Sequence, residues 1–313
     1  NVGEAQATRN SSQDAINSIA KVLPTFFGGS ADLSHSNMTF IKGEGLQDDA
    51  HRTERNIQFG VREFAMATVL NGMMLHGGVR VFGGTFFVFS DYLKAALRLS
   101  ALQNLPVTYV FTHDSIAVGE DGPTHEPIEH LASLRTIPNT YVFRPADATE
   151  TQAAWYLAQN VNDKPTSIVL TRQNLPVLEN SSFEKVAKGA YVVYETSSDF
   201  DTILIATGSE VALAISVAEE LEREGMKVRV VSMPSIELFE EQTSEYKEAL
   251  LPRSIRRRVS LEMGNTALWY KYVGLDGLAI GIDKFGASAP ANKVIEEYGF
   301  SVEKVVARIK NEL

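Results

Sequence analysis

The chain has 313 residues and a mass of 34.4 kDa, enough for two domains and a core that needs neither disulfides nor metal. Charged residues make up 22% and the apolar set 44%, ordinary globular values, and no run of about 18 apolar residues offers a spanning helix. Twenty-nine bases against 39 acids give a net charge of −10, which weighs against nucleic acid or an anionic membrane as partner, and the absence of cysteine excludes disulfides, thiol nucleophiles and iron–sulfur clusters.

The chain opens at Asn1 without Met, a basic stretch or an apolar run, so no signal peptide is expected and a cytoplasmic enzyme or binding protein is the expected class. Asn10-Ser11-Ser12 is a helix-start signal, and Ala15, Ile16, Ile19, Ala20 and Leu23 follow at helical spacing until Pro24. Residues 26–30 read as a short buried strand and 34–55 as a polar loop. A helix is predicted over 61–76, with Phe64, Ala67, Leu70, Met73 and Met74 on its apolar face. Then come a strand at 79–82, a helix at 86–102, a strand at 107–111 and a Gly/Pro-bearing loop. A helix at 128–134, a strand at 141–143, a helix at 148–158 and a strand at 167–170 follow.

Residues 173–188, rich in Asn, Ser, Pro and charge, lead into and form a linker placed at about 179–188. Beyond it the alternation restarts, with strands at 189–194, 202–206 and 227–232 around a helix at 209–224. A helix at 244–251, strands at 258–262 and 278–282, and helices at 290–298 and 302–312 complete the chain. The expected fold is α/β: two domains, 1–178 and 189–313, each a mainly parallel sheet with helices on both faces.

Open α/β sheets bind ligands beyond the carboxyl ends of their strands. The loop after 107–111 holds two of the six histidines, His113 and His125, among acids, Gly and Pro. A plain solvated loop is an equal reading of that composition. His125, Glu126, Glu129 and His130 cluster in sequence, but the spacing is not His-Glu-x-x-His and no metal site is expected. Phe86, Phe89 and Tyr92, three apart, would line one helical face, either as core packing or as a flat pocket for an aromatic ring. Glu63, in the first helical turn after Gly60, is either a dipole-stabilising acid or a functional carboxyl.

Several segments together resemble the transketolase family. They are Gly29-Ser30-Ala31-Asp32-Leu33, Gly60-Val61-Arg62-Glu63-Phe64, Thr112-His113-Asp114-Ser115, Gly119-Glu120-Asp121-Gly122-Pro123-Thr124-His125 and Arg172-Gln173-Asn174. Ala206-Thr207-Gly208-Ser209-Glu210-Val211 and Trp269-Tyr270-Lys271-Tyr272-Val273-Gly274 continue the resemblance. It runs in order from about Thr8 onward and covers the family's pyrimidine-binding middle domain and its C-terminal domain. The N-terminal diphosphate-binding domain, with its Gly-Asp-Gly magnesium motif, has no counterpart in these residues.

The resemblance implies transfer of a two-carbon ketol unit between sugar phosphates with thiamine diphosphate, whose Mg2+ ligands are expected on the N-terminal domain or subunit. It makes Glu63 the carboxyl that hydrogen-bonds the cofactor's pyrimidine ring, a task for a carboxyl able to share a proton in an apolar place. Phe89, with Phe86 and Tyr92, becomes the ring pocket, and Asp32 lies near the cofactor. Arg9, Ser36, His113 and Arg172 become the grip on the sugar's phosphate, arginine being apt for paired, charge-assisted bonds. Asp121 becomes the reader of the sugar's C2 hydroxyl and His125 the imidazole beside the reacting carbonyl. Thr207-Gly208-Ser209 resembles an anion nest, with a purely structural turn the favoured reading. A homodimer is expected, and a chain inactive without its N-terminal partner. The competing readings are a deoxyxylulose-phosphate synthase or 2-oxoacid dehydrogenase β-chain type of subunit, and a non-catalytic assembly module.

Overall fold

In the computed structural model, which describes residues 2–313, the chain forms two sheets and a small ribbon. The strands in chain order are β1 (Ala5–Ala7), β2 (Phe26–Ser30), β3 (Asn56–Gln58), β4 (Arg80–Phe86), β5 (Thr108–Thr112), β6 (Tyr141–Phe143), β7 (Thr166–Leu170) and β8 (Asn174–Pro176). They continue with β9 (Tyr191–Glu195), β10 (Thr202–Ala206), β11 (Val228–Ser232), β12 (Arg257–Leu261) and β13 (Leu278–Ile280). The first sheet has the order β3-β2-β4-β5-β7-β6 and is parallel throughout. The second, β13-β12-β10-β11-β9, is parallel except for β9, which runs antiparallel along β11 at one edge.

Alternate residues of a strand point to opposite faces, so strands buried throughout must be covered on both. In β5, Val110 joins the apolar cluster of Phe26, Phe82 and Trp155, while Tyr109 and Phe111 join Met66, Leu70 and Leu97 on the other face. In β10, Leu204 and Ala206 extend the first of these clusters into the second sheet, and Ile203 and Ile205 pack with Trp269 and Tyr272 behind it. The core is thus continuous between the sheets.

Three local expectations need correction. Residues 173–188 do not form a plain linker, because β8 pairs antiparallel with β1 and the short helix Phe183–Val186 follows. Within 34–55 the one-turn helix Ser34–Asn37 interrupts the loop, and β3 just beyond adds an unpredicted edge strand to β2. The helix predicted over 86–102 begins only at Ser90: Phe86 ends β4 and Phe87–Phe89 form a 3-10 turn, so Phe86, Phe89 and Tyr92 do not share one helical face.

The Thr207-Gly208-Ser209 turn packs on a cation, in line with its favoured structural reading and not with an anion nest. The fully buried Arg144 guanidinium lies against Gly208, where a Cβ would come within 2.8 Å of its Cζ. It donates to the Thr207 carbonyl at 3.1 Å and the Thr207 hydroxyl at 3.0 Å, and pairs with Glu210 and, at 2.8 Å, with Asp114. Nearby, Arg135 makes a two-pronged bond to Glu262, at 2.8 Å on each arm. Against the upward push of burial, Arg135 and then Arg144 hold Glu262 down at about 2. These pairs tie the first sheet's carboxyl-end loops to the second sheet.

Candidate functional site

Every sequence-predicted site residue from Asp32 to Arg172 lies just past a strand, or in a loop leaving one, at the carboxyl edge of the first sheet. Asp32 and Ser36 follow β2, Glu63 follows β3, Phe86 ends β4 with Phe89 and Tyr92 just beyond, His113, Asp121 and His125 follow β5, and Arg172 follows β7. A parallel sheet makes this inevitable, since all its strands end on the same side.

Five of these residues touch as rings. Phe86 stacks on His113 with centroids 3.7 Å apart and faces Phe89 at 6.0 Å. Phe89 meets Tyr92 at 6.0 Å and the edge of His125 at 5.5 Å. Tyr92 is 64% exposed, so one end of the stack is open to solvent.

Arg9 and Arg172 are brought beside these rings by a hydroxyl clasp. Thr171 donates its backbone N–H to the Thr8 hydroxyl at 2.8 Å, Thr8 returns one to Thr171 Oγ1 at 3.2 Å, and the two hydroxyls lie 3.1 Å apart. Each arginine is the chain neighbour of a clasped threonine, and the β1–β8 ribbon continues the same pairing. The ribbon and clasp were missed by sequence reasoning. Arg9 Nη1 donates to the Ser36 carbonyl at 2.9 Å, so Ser36 meets Arg9 through its backbone. Among the described residues neither arginine has a carboxylate partner, and Arg9 Nε is buried with no partner at all. Burial, and then the charge of Arg172, lower the proton affinity of Arg9. A cation pair left unneutralised inside a chain of charge −10 is poised for an oxyanion.

His113 completes this patch. Its φ of 63° lies in the left-handed region, a strained place for a non-glycine residue that points to a functional demand. The Thr112 hydroxyl donates to Asn37 Oδ1 at 2.7 Å, so His113 Nδ1, 2.8 Å from the same oxygen, is the donor there and Nε2 carries the lone pair. Burial first, then the charges of Arg9 and Arg172, push this imidazole down to about 3. The His113 resonances in an imidazole NMR titration are therefore expected to show no step between about pH 5 and 8. Added inorganic phosphate, by offsetting both arginines, is expected to move the step upward; a step near 6.5 without it would show that the ring is not under the field of the patch.

Glu63 opens the helix Glu63–His76 and is 8% exposed. Its carboxyl has no hydrogen-bond or ion-pair partner among the described residues, and its oxygens are not sealed from solvent. Among the described residues no hydrogen bond or ion pair joins it to the ring stack. Asp32 is exposed, with φ 65°, and Asp121 is exposed on the loop before His125; neither is drawn into the ring stack.

The sequence cluster of His125, Glu126, Glu129 and His130 comes apart. His125 stands with the rings, while Glu129 and His130 meet Asp91, one ligand atom of each within 4.8 Å of the others. Lys94 already donates to Asp91 there at 3.1 Å. Glu126 turns away from all of them and is buried.

The family model described as transketolase, pyrimidine binding domain, matches residues 4–177, and that described as transketolase-like TK C-terminal domain matches 189–301. The chain is similar to a probable transketolase of Streptococcus pneumoniae, 71% identical over 99% of this chain and 47% of that protein. It is 57% identical to a transketolase of Bacillus subtilis, again over 98% of this chain and 47% of that one. Transketolase from Leishmania mexicana superposes with a TM-score of 0.95 at 43% identity, over 99% of this chain and 46% of that one. A structure described as a split gene transketolase, inactive beta4 tetramer, aligns with a TM-score of 0.77 at 25% identity over 99% of both chains. The chain spans about half the length of the curated relatives it matches.

Proposed function

This chain belongs to the transketolase family, and from that premise we propose that it supplies the substrate half of a ketol transferase that acts on sugar phosphates with thiamine diphosphate. The observation that carries the reading is the unneutralised pair Arg9 and Arg172 beside an open aromatic stack at the carboxyl edge of one parallel sheet. A phosphate fits the first feature and an aminopyrimidine ring the second. That combination favours a phosphorylated sugar over a 2-oxoacid.

When bound, thiamine diphosphate supplies stabilisation for the negative charge released as the sugar's carbon–carbon bond breaks. The chain's own residues do the rest. Phe89, with Phe86 and Tyr92, offers faces for the pyrimidine. Glu63, buried and unpartnered, holds a proton at the pyrimidine ring nitrogen, and its isolation among the described residues is what fits it to that group. Asp32 stands at the same edge toward the cofactor. Arg9, Arg172, His113 and the Ser36 segment hold the sugar's phosphate, Asp121 reads its C2 hydroxyl, and His125 moves a proton at the carbonyl oxygen. Mg2+ and the diphosphate fall to an N-terminal domain or partner subunit, so this chain alone is proposed to be inactive. The exposed apolar side chains Phe64, Val69 and Leu75 of the helix Glu63–His76, with Val61 just before it, support a homodimer. No helix is long and apolar enough to cross a membrane, and a cytoplasmic location goes with this reading.

The test is complementation. Mixed with a diphosphate-binding half, thiamine diphosphate and Mg2+, the chain should transfer ketol units from ketose to aldose phosphates; turnover of pyruvate without ketose turnover would overturn the reading. In the same assay Arg9→Ala and Arg172→Ala should each raise KM for phosphorylated sugars about ten- to a hundredfold, the worth of a lost charge-assisted bond of about 1.5–3 kcal/mol. Equal losses on unphosphorylated sugars would reduce both arginines to structural roles.

A further inference from the structure

The loop that carries Asp121 and His125 rests on a segment far along the chain. Ser288, 168 positions after Glu120, donates its hydroxyl proton to the Glu120 carbonyl at 2.6 Å. Gly122 packs so closely on it that a Cβ there would meet the Ser288 Cβ at 3.0 Å. Glu126 sits between the two segments, 2% exposed. Its oxygens face the backbone amides of Ala287 and Gly119, neither aligned well enough to close a full hydrogen bond. A Cβ on Gly286 would fall 1.7 Å from Glu126 Oε2, so only glycine leaves room for this carboxyl. The loop's own turn is pinned by His125 and Glu126, whose amides donate to the Gly122 carbonyl at 2.9 and 3.1 Å. None of this touches substrate or cofactor, and the mechanism makes no use of Glu126.

We propose that Glu126 is a positioning residue through which the segment 285–291 clamps the loop 119–125 and fixes the placement of Asp121 and His125. The catalytic consequence rests on the roles given above to those two residues; the clamp itself concerns only this chain. It gives the C-terminal portion a task at the reaction centre that its own residues never enter.

The clamp is sensitive to pH. The titratable groups facing Glu126 are Asp121 on its own loop and Tyr298 beyond the helix Ala291–Glu297, with Lys284 standing over the Tyr298 ring at 4.6 Å. Burial first, and then the charge of Asp121, push Glu126 up to about 7 against the pull of the two amides. A carboxyl whose proton affinity is raised by folding contributes fully below its ordinary 4.5, and that contribution is lost as the pH rises through about 7. Among the described residues no cation pairs with a charged Glu126, which repels Asp121.

Amide hydrogen exchange on the full chain, corrected for intrinsic rates, reads the clamp directly. Protection at Gly122 and His125 is expected to fall about tenfold or more between pH 6 and 8.5, while amides of β5 hold steady. Glu126→Gln, which keeps the shape without the charge, should abolish that fall, and Gly286→Ala should lower protection at both pH values. In the complemented enzyme Gly286→Ala should then reduce kcat by up to about 10²-fold, the cost of misplacing a reacting group by about 1 Å. Unchanged loop protection in Glu126→Ala and Gly286→Ala overturns the proposal. A loosened loop with undiminished turnover upholds the clamp and removes Asp121 and His125 from the chemistry.

Discussion

Glutamine in place of Glu63 is expected to lower ketol transfer by the complemented enzyme about 10²–10⁴-fold, the usual worth of a positioned acid–base group. The amide keeps the carboxyl's shape but cannot share a proton with a ring nitrogen. Because the native carboxyl contacts no donor or cation among the described residues, the substitution breaks no internal bond, and thermal stability should hold. Steady-state kinetics beside a melting curve separates the cases. Activity within about tenfold of the parent would remove Glu63 from proton transfer. A lowered melting temperature would make it an ordinary helix-start acid.

The second large effect concerns folding. Arg144→Met should cost about 3–5 kcal/mol, because it strands two buried carboxylates, Asp114 and Glu210, without their shared cation. Urea unfolding would show this as a lowered midpoint at unchanged slope. The triple variant Arg144→Met, Asp114→Asn, Glu210→Gln should recover much of the loss, since neutral groups tolerate burial far better than unpaired charges. No recovery would place the cost in packing against Gly208 instead. Asp114 follows His113 directly in the chain, so the single variant is also expected to weaken anion binding at the patch.

What the sequence made legible follows from how strongly each feature is written in local pattern. The strands β2, β5, β7 and β10 are apolar runs between helical stripes, and their order alone implied a parallel sheet with a ligand edge. Since strands of one sheet end together, placing Phe89, His113 and Arg172 after predicted strands placed them on one edge as well. The losses are features whose cause is tertiary. Each of β1, β3 and β8 has three residues, too few for a period, and each exists because a partner is already there. The buried charges Arg144, Glu126 and Glu262 carry no local sign of their burial, since nothing in the sequence around them records the opposite charge or the backbone that meets them across the fold. The Thr207-Gly208-Ser209 turn offered a structural reading ahead of an anion nest, and only the packed structure shows a guanidinium in that space. For Glu126 the one available signal was its place beside His125 in a loop dense with Gly and Pro.

The Thr8–Thr171 clasp has a kinetic corollary. It joins residues 163 positions apart, and the proposed phosphate grip of Arg9 and Arg172 is assembled only once that span has closed. Closure entropy grows only as the logarithm of loop length, so the penalty is modest in equilibrium, but such distant pairings form late during folding. Arg9 leaves the ribosome long before Arg172 can reach it. In a refolding experiment, recovery of phosphate affinity should therefore trail the return of helical signal, and anion binding would mark the last closure of the first sheet rather than its collapse.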